Sequence, residues 1–298
     1  MSGQVFLVTL AGRRRRDHST VGGRSYSEPM LSPTDCLAAI TSHSEAFAAA
    51  ARGRLEADVR HCPGWTVADL VAHVIDVHWY WATIVEQRIT DQPGDTLVRP
   101  ERAGDDELVA TFEAGARRLV RVLDAVDPRT RVWTWAPGHQ DAAFVIRHQV
   151  QEIAVHHWDV ADATGATGPT VTITPFSITP EVAADAIDEF LEVSISSDVD
   201  PADAGAPVLA GSFGLRCTDT DTGAAEGTDG PGVWRITDGA TPGTMRATTE
   251  GVGATEGLPT ISGRASDLLL WLYQRIEVDP STIDLALLQR FRALTYTT

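Results

Sequence analysis

The stretch Gln151-Glu152-Ile153-Ala154-Val155-His156-His157-Trp158-Asp159 lies inside a run from about Asp141 to Ala163 that holds no Gly or Pro and is rich in apolar residues. Such a run reads as a helix. On a helix, Glu152 and His156 stand one turn apart on the same face. A carboxylate and an imidazole so placed form either an ordinary pair on a solvated face or two thirds of a divalent-metal site. The choice turns on a third ligand from elsewhere in the chain.

Upstream, Ser32-Pro33-Thr34-Asp35 reads as a helix start, with Ser32 as cap, Pro33 at the first helical position and Asp35 completing a capping box. The helix is expected to run to about Ala57. A loop with Cys62-Pro63-Gly64-Trp65 follows, and Thr66 with Asp69 forms a second capping box. The next helix, Thr66 to about Arg88, places Leu70, His73, Val77, Tyr80 and Ile84 on one stripe. His73 therefore points inward, as a core histidine bonded to a neighbour or as the missing ligand. A polar crossing from about Thr90 to Gly104 leads to a third helix, Asp105 to Val126, and Trp133-Thr134-Trp135-Ala136-Pro137-Gly138 forms a rigid loop before the fourth. Four amphipathic helices with one long crossover describe a four-helix bundle, whose metal sites are built between facing helices.

Beyond Thr164 the texture changes. Val171-Thr172-Ile173-Thr174 reads as a strand or linker and Pro180 to Val193 as a helix. Pro207 to Ala210, Gly214 to Cys217, Gly232 to Ile236 and Thr244 to Ala247 read as short strands between Gly and Asp turns. Ser266 to about Ile276 and Ser281 to Leu294 read as helices. The fold class is thus multidomain, α then α+β: an arm at 1–31, a bundle at 32–166 and a small α+β domain at 167–298. The arm carries Arg13-Arg14-Arg15-Arg16 after a short apolar patch, an order that fits no secretory signal. Its Ser- and Gly-rich continuation reads as disordered, and Met30 is a plausible internal start.

The composition, 43% hydrophobic and 22% charged, is that of a globular protein able to bury cores. A net charge of −17 speaks against nucleic-acid and anionic-membrane partners. Cys36, Cys62 and Cys217 are widely spaced, which suggests reduced thiols in a cytoplasm rather than disulfides. No GxGxxG, GxxxxGK or GxSxG pattern appears, which argues against nucleotide binding and serine hydrolysis.

Cys62-Pro63-Gly64-Trp65-Thr66-Val67, Asp69-Leu70-Val71-Ala72-His73, Trp133-Thr134-Trp135 and Glu152 to Asp159, in that order, resemble the actinobacterial mycothiol-dependent maleylpyruvate isomerase family. Gly263 to Arg275 resembles its C-terminal domain. The resemblance implies a DinB-like four-helix bundle followed by a sterol-carrier-like α+β domain. It places the metal ligands at His73, Glu152 and His156, a donor set suited to a catalytic zinc. It implies mycothiol as thiol cosubstrate, its thiol deprotonated beside the metal to attack a small electrophile in an isomerisation or S-transfer. Arg275 matches an arginine of the C-terminal domain and is the candidate catalytic cation; a surface arginine closing a helix is the other reading. Gln151 and His157 stand where the family often has His and Arg. Cys62 reads as structural, and His61, His139 and His148 have no partner visible in the sequence. The alternatives are a metal- or small-molecule-binding protein without turnover and, third, a metal-dependent hydrolase. The expected partners are a small-molecule substrate and a low-molecular-weight thiol, and the expected state is a monomer.

Deleting residues 1–29 should leave melting temperature and metal content unchanged. A fall of several degrees in a thermal melt would show that the arm contributes to the fold.

Overall fold

Helix α4 (Ala142–Ala163) is buried on nearly every side, and the rest of the molecule is arranged about it. In the computed structural model the chain is described over residues 30–94, 97–136, 138–165, 177–195, 208–220, 232–249, 255–280 and 282–295. The strand expected at 171–174 and the arm before Met30 lie outside these residues. The remaining helices are α1 (Pro33–Ala51), α2 (Val67–Gln87), α3 (Asp105–Asp124), α5 (Pro180–Val193), α6 (Ala265–Leu272) and α7 (Leu285–Ala293). α1 to α4 form the bundle, with α1 packed on α4 and α3, and α2 on α3 and α4.

The caps set the helix starts. The Ser32 hydroxyl accepts from Asp35 N–H, and Asp141 accepts from Phe144 N–H. Thr66 and Asp69 cap α2 reciprocally, each side chain accepting the other's backbone N–H. Met30 and Leu31, just ahead of α1, donate their backbone N–H groups to Asp185 on α5.

α1 ends at Ala51 rather than near Ala57. Gly53 turns left-handed at φ 70, and the following residues are drawn to the start of α2, where Val67 N–H donates to Ala57 and Ala68 N–H to Leu55. α6 likewise stops at Leu272, short of Ile276, because Gln274 takes φ 60 and Arg275 N–H bonds back to Leu270.

The sheet has strands β1 (Ser212–Cys217), β2 (Val233–Asp238), β3 (Met245–Thr248) and β4 (Thr260–Gly263), in the order β3-β2-β1-β4. β1 is antiparallel to β2, with Leu215 opposite Trp234, and parallel to β4, with Leu215 opposite Ile261. The expected strand ending at Ala210 does not form among the described residues. Ala210 sits at φ 52, and its N–H and that of Gly211 are taken by Asp238. β4 was absent from the sequence reading: it is four residues long and ends on a glycine.

One apolar core runs from the bundle into the α+β part, and a polar knot ties the two. Arg147 on α4 bonds Asp185, Asp188 and Glu192 on α5, while Trp234 Nε1–H donates to Asp188. No described helix is long and apolar enough to cross a membrane.

Between α1 and α4, His43 and His157 meet Nδ1 to Nδ1 at 3.0 Å. One ring donates and the other accepts, an arrangement that two doubly protonated rings cannot make. Burial presses His43 down to about 4, and burial with the neighbouring His43 presses His157 down to about 3. The unfolded rings titrate near the model-peptide value of about 6.5. Below that value the unfolded chain binds more protons, so the pair's stability is full above pH 6.5 and falls as pH drops toward 4. His43→Gln should flatten that acid limb in melting temperature against pH; an unchanged limb would place the loss elsewhere.

Candidate metal centre

α2 and α4 bring His73, Glu152 and His156 together. His73 stands two turns into α2, its depth set by the Thr66–Asp69 cap, and Glu152 and His156 occupy successive turns of α4. Nε2 of His73 and Nε2 of His156 each lie 3.4 Å from Glu152 Oε1. One ligand atom from each residue falls within 4.8 Å of the others. All three side chains keep a little exposure, 19%, 14% and 9%, so the cluster opens to solvent on one side.

The protonation pattern follows from the contacts. Burial alone would raise the Glu152 carboxyl, but hydrogen bonds from His156 and His73 hold it well below the usual carboxylate range. Burial opposes charge on His156, yet the bonds to Asp159 and Glu152 prevail and push it up to about 9. A divalent cation would take the place of that proton on Nε2, so binding releases protons.

Residues 37–161 match the family described as the mycothiol maleylpyruvate isomerase N-terminal domain. The bundle belongs to that family. No curated protein matches the chain significantly. A crystal structure of the mycothiol-dependent maleylpyruvate isomerase is similar, with TM-score 0.52 and 14% identity over 84% of this chain and 93% of that chain. At that identity the likeness speaks for the fold, bundle and α+β part together.

The donor set of this isomerase-family bundle fits a divalent ion. Ligands about 2.0–2.1 Å from a tetrahedral zinc sit about 3.3–3.4 Å apart, close to the separations from Glu152. The Nδ1 of His156 is engaged by Asp159 Oδ2 at 2.9 Å, which turns Nε2 toward the cluster.

Arg275, the candidate cation, is held against Asp159 of α4. It is only 8% exposed, so it is no surface arginine closing a helix. Its Nε and Nη2 donate to the two oxygens of Asp159, both at 2.9 Å, and Nη1 donates to the Tyr273 carbonyl. The guanidinium thus reaches the centre through Asp159 and His156. Burial raises the Asp159 carboxyl, and the His156 and Arg275 bonds outweigh it and hold it low.

Asp159, the last residue of the stretch that decides the fold, had no role in the sequence reading. Its spacing of three from His156 was the signal. Gln151 is a bridge: its Oε1 accepts from Tyr273 Oη–H at 2.7 Å and its Nε2 donates to Glu189 Oε1 at 2.6 Å. His157 pairs with His43, away from the triad. Cys62 lies near enough to feel Asp159, Arg275 and Glu152, but burial, with the two carboxylates, pushes its thiol up to about 11, an unreactive state.

Purified protein should carry about one equivalent of divalent metal per chain, and His73→Ala should lose it. Asp159→Asn should weaken metal affinity about 10- to 100-fold. Full occupancy of His73→Ala in elemental analysis would overturn the ligand assignment.

Proposed function

We propose that the protein is a divalent-metal-dependent enzyme, with zinc at His73, Glu152 and His156, that adds mycothiol to a small electrophile. The observation that carries this reading is the convergence of the three donors at an opening in a bundle of the mycothiol maleylpyruvate isomerase family. The bound ion would supply a fixed positive charge beside which a thiol, ordinarily protonated at neutral pH, loses its proton.

The electrophile is an alkene conjugated to a carbonyl. The sulfur lone pair forms a C–S bond at the β carbon while the alkene π pair moves onto the carbonyl oxygen as an enolate. The former double bond now rotates. Return of the electron pair expels the thiolate and leaves the trans isomer; if the carbon is protonated instead, the thioether is the product. Either outcome consumes no oxidant.

The chain's own residues organise this chemistry. Asp159 fixes the tautomer and direction of His156. Arg275 keeps Asp159 ionised in a buried place and acts as a positioning residue. Tyr273 and Gln151 bind the α6 corner to α4, which seats Arg275. The free Cys36, Cys62 and Cys217 suit a reducing cytoplasm, and a monomer suffices to build the centre from one chain.

Zinc-loaded protein incubated with mycothiol and a panel of cis-enoyl acids should isomerise or conjugate at least one of them, and a chelator should stop it. Arg275→Ala should lower both metal affinity and turnover, whereas Arg275→Lys should recover part of each. Thiol-independent metal binding with no conversion across the panel would leave a binding protein in place of an enzyme.

A further inference from the structure

One turn before Glu152 on the same face of α4 stands His148, whose partners are invisible in the sequence. Its Nδ1 lies 2.8 Å from Glu189 Oε1 on α5. Gln151 Nε2 donates to that same oxygen and approaches Nδ1 at 2.9 Å. Glu189 is fully buried, and its second oxygen has no partner among the described residues. Burying a carboxylate is costly, and one left half satisfied is a poor structural tie. Aligning an imidazole is a use that needs only one of its oxygens.

The imidazole itself is held as a working part. Phe144 stacks on it at 5.5 Å and 8°, and Trp135 and Trp81 meet it edgewise at 5.5 and 6.1 Å. The ring is thereby fixed on several sides. No described residue meets its Nε2, and the side chain keeps 15% exposure. Nε2 lies across the ring from Nδ1, so it points away from Glu189. Burial presses the imidazolium down, and the bond and charge of Glu189, with Glu152, more than offset it. The contact with Glu189 thus favours the doubly protonated ring, in which Nε2 also bears a proton.

We propose that His148, aligned by Glu189, is a substrate-contacting residue whose Nε2–H donates to a carboxylate or carbonyl oxygen of an anionic electrophile at the His73–Glu152–His156 centre. This rests on the reading of that centre as a thiol-addition site. The aromatic rings of Trp81, Trp135 and Phe144 supply a dry wall that strengthens a charged hydrogen bond. With Arg275 engaged by Asp159, His148 answers for the anionic end of the substrate.

The test is calorimetric titration of the metal-loaded full chain with maleate, a dianion, and with its neutral dimethyl ester. His148→Asn places an amide nitrogen where Nδ1 lies, so the Glu189 bond survives and only the Nε2 donor is removed. The expected result is maleate affinity lowered at least about 10-fold in His148→Asn, ester affinity unchanged, metal content retained, and thiol-dependent turnover lowered by about 100- to 1000-fold. Equal maleate affinity in the two proteins, or no preference of the wild type for maleate over the ester, would overturn the contact. Should His148→Asn not fold, the wild type labelled with nitrogen-15 histidine decides. The Nε2 resonance of His148 shifts with maleate if the proposal holds, and its immobility sinks it. Absence of thiol-dependent turnover in a wild type that still binds maleate through His148 counts against the proposed reaction, not against this contact.

Discussion

A single carboxylate, Asp159, is caught between an imidazole on its own helix and a guanidinium from the far part of the chain. Without the guanidinium the buried carboxylate would lose one of the two bonds that offset its burial and hold it low. A buried guanidinium without the carboxylate would be an uncompensated charge in an apolar interface, which is strongly destabilising. Together they make a bidentate pair whose geometry is directional, and the direction is passed to the one histidine nitrogen that matters. The face of α4 that carries Glu152 and His156 is thus oriented through Asp159 by a residue from the far part of the chain.

Much of this could be read from the sequence. α4 announced itself through a long run free of Gly and Pro, and the Glu152–His156 spacing followed from helical period. His73 stood on an apolar stripe, where the pattern alone left a core histidine open, and the family resemblance singled it out as a ligand. What was not legible lay across long separations. Glu189 meets His148 from 41 residues away, and Arg275 meets Asp159 from 116. No local pattern encodes such a pairing. Other misses were backbone matters. A non-glycine left-handed turn at Ala210 dissolved an apolar run that looked like a strand, and one at Gln274 shortened α6. β4 is too short and too small-sided to show alternation, and its parallel partner β1 lies far back in the chain.

The junction of α4 with α5 shows a second use of buried charge. Apolar contact is indifferent to a slide of an ångström, whereas Arg147 can satisfy Asp185, Asp188 and Glu192 in only one seating. Asp185 also takes the backbone of Met30, and Asp188 the indole of Trp234. Four parts of the molecule therefore share one registration point. The seating that this point fixes is the one in which Glu189 meets His148 and Tyr273 meets Gln151.

The span between Asp159 and Arg275 bears on how the protein is born. Synthesis is vectorial, and the ribosome finishes α4 well before Arg275 emerges. During that interval the nascent bundle holds Asp159 with no counter-charge, so the group stays hydrated or protonated and His156 is free to turn. The orientation of His156 that Asp159 imposes is therefore settled only once residues 116 positions downstream have folded back onto α4.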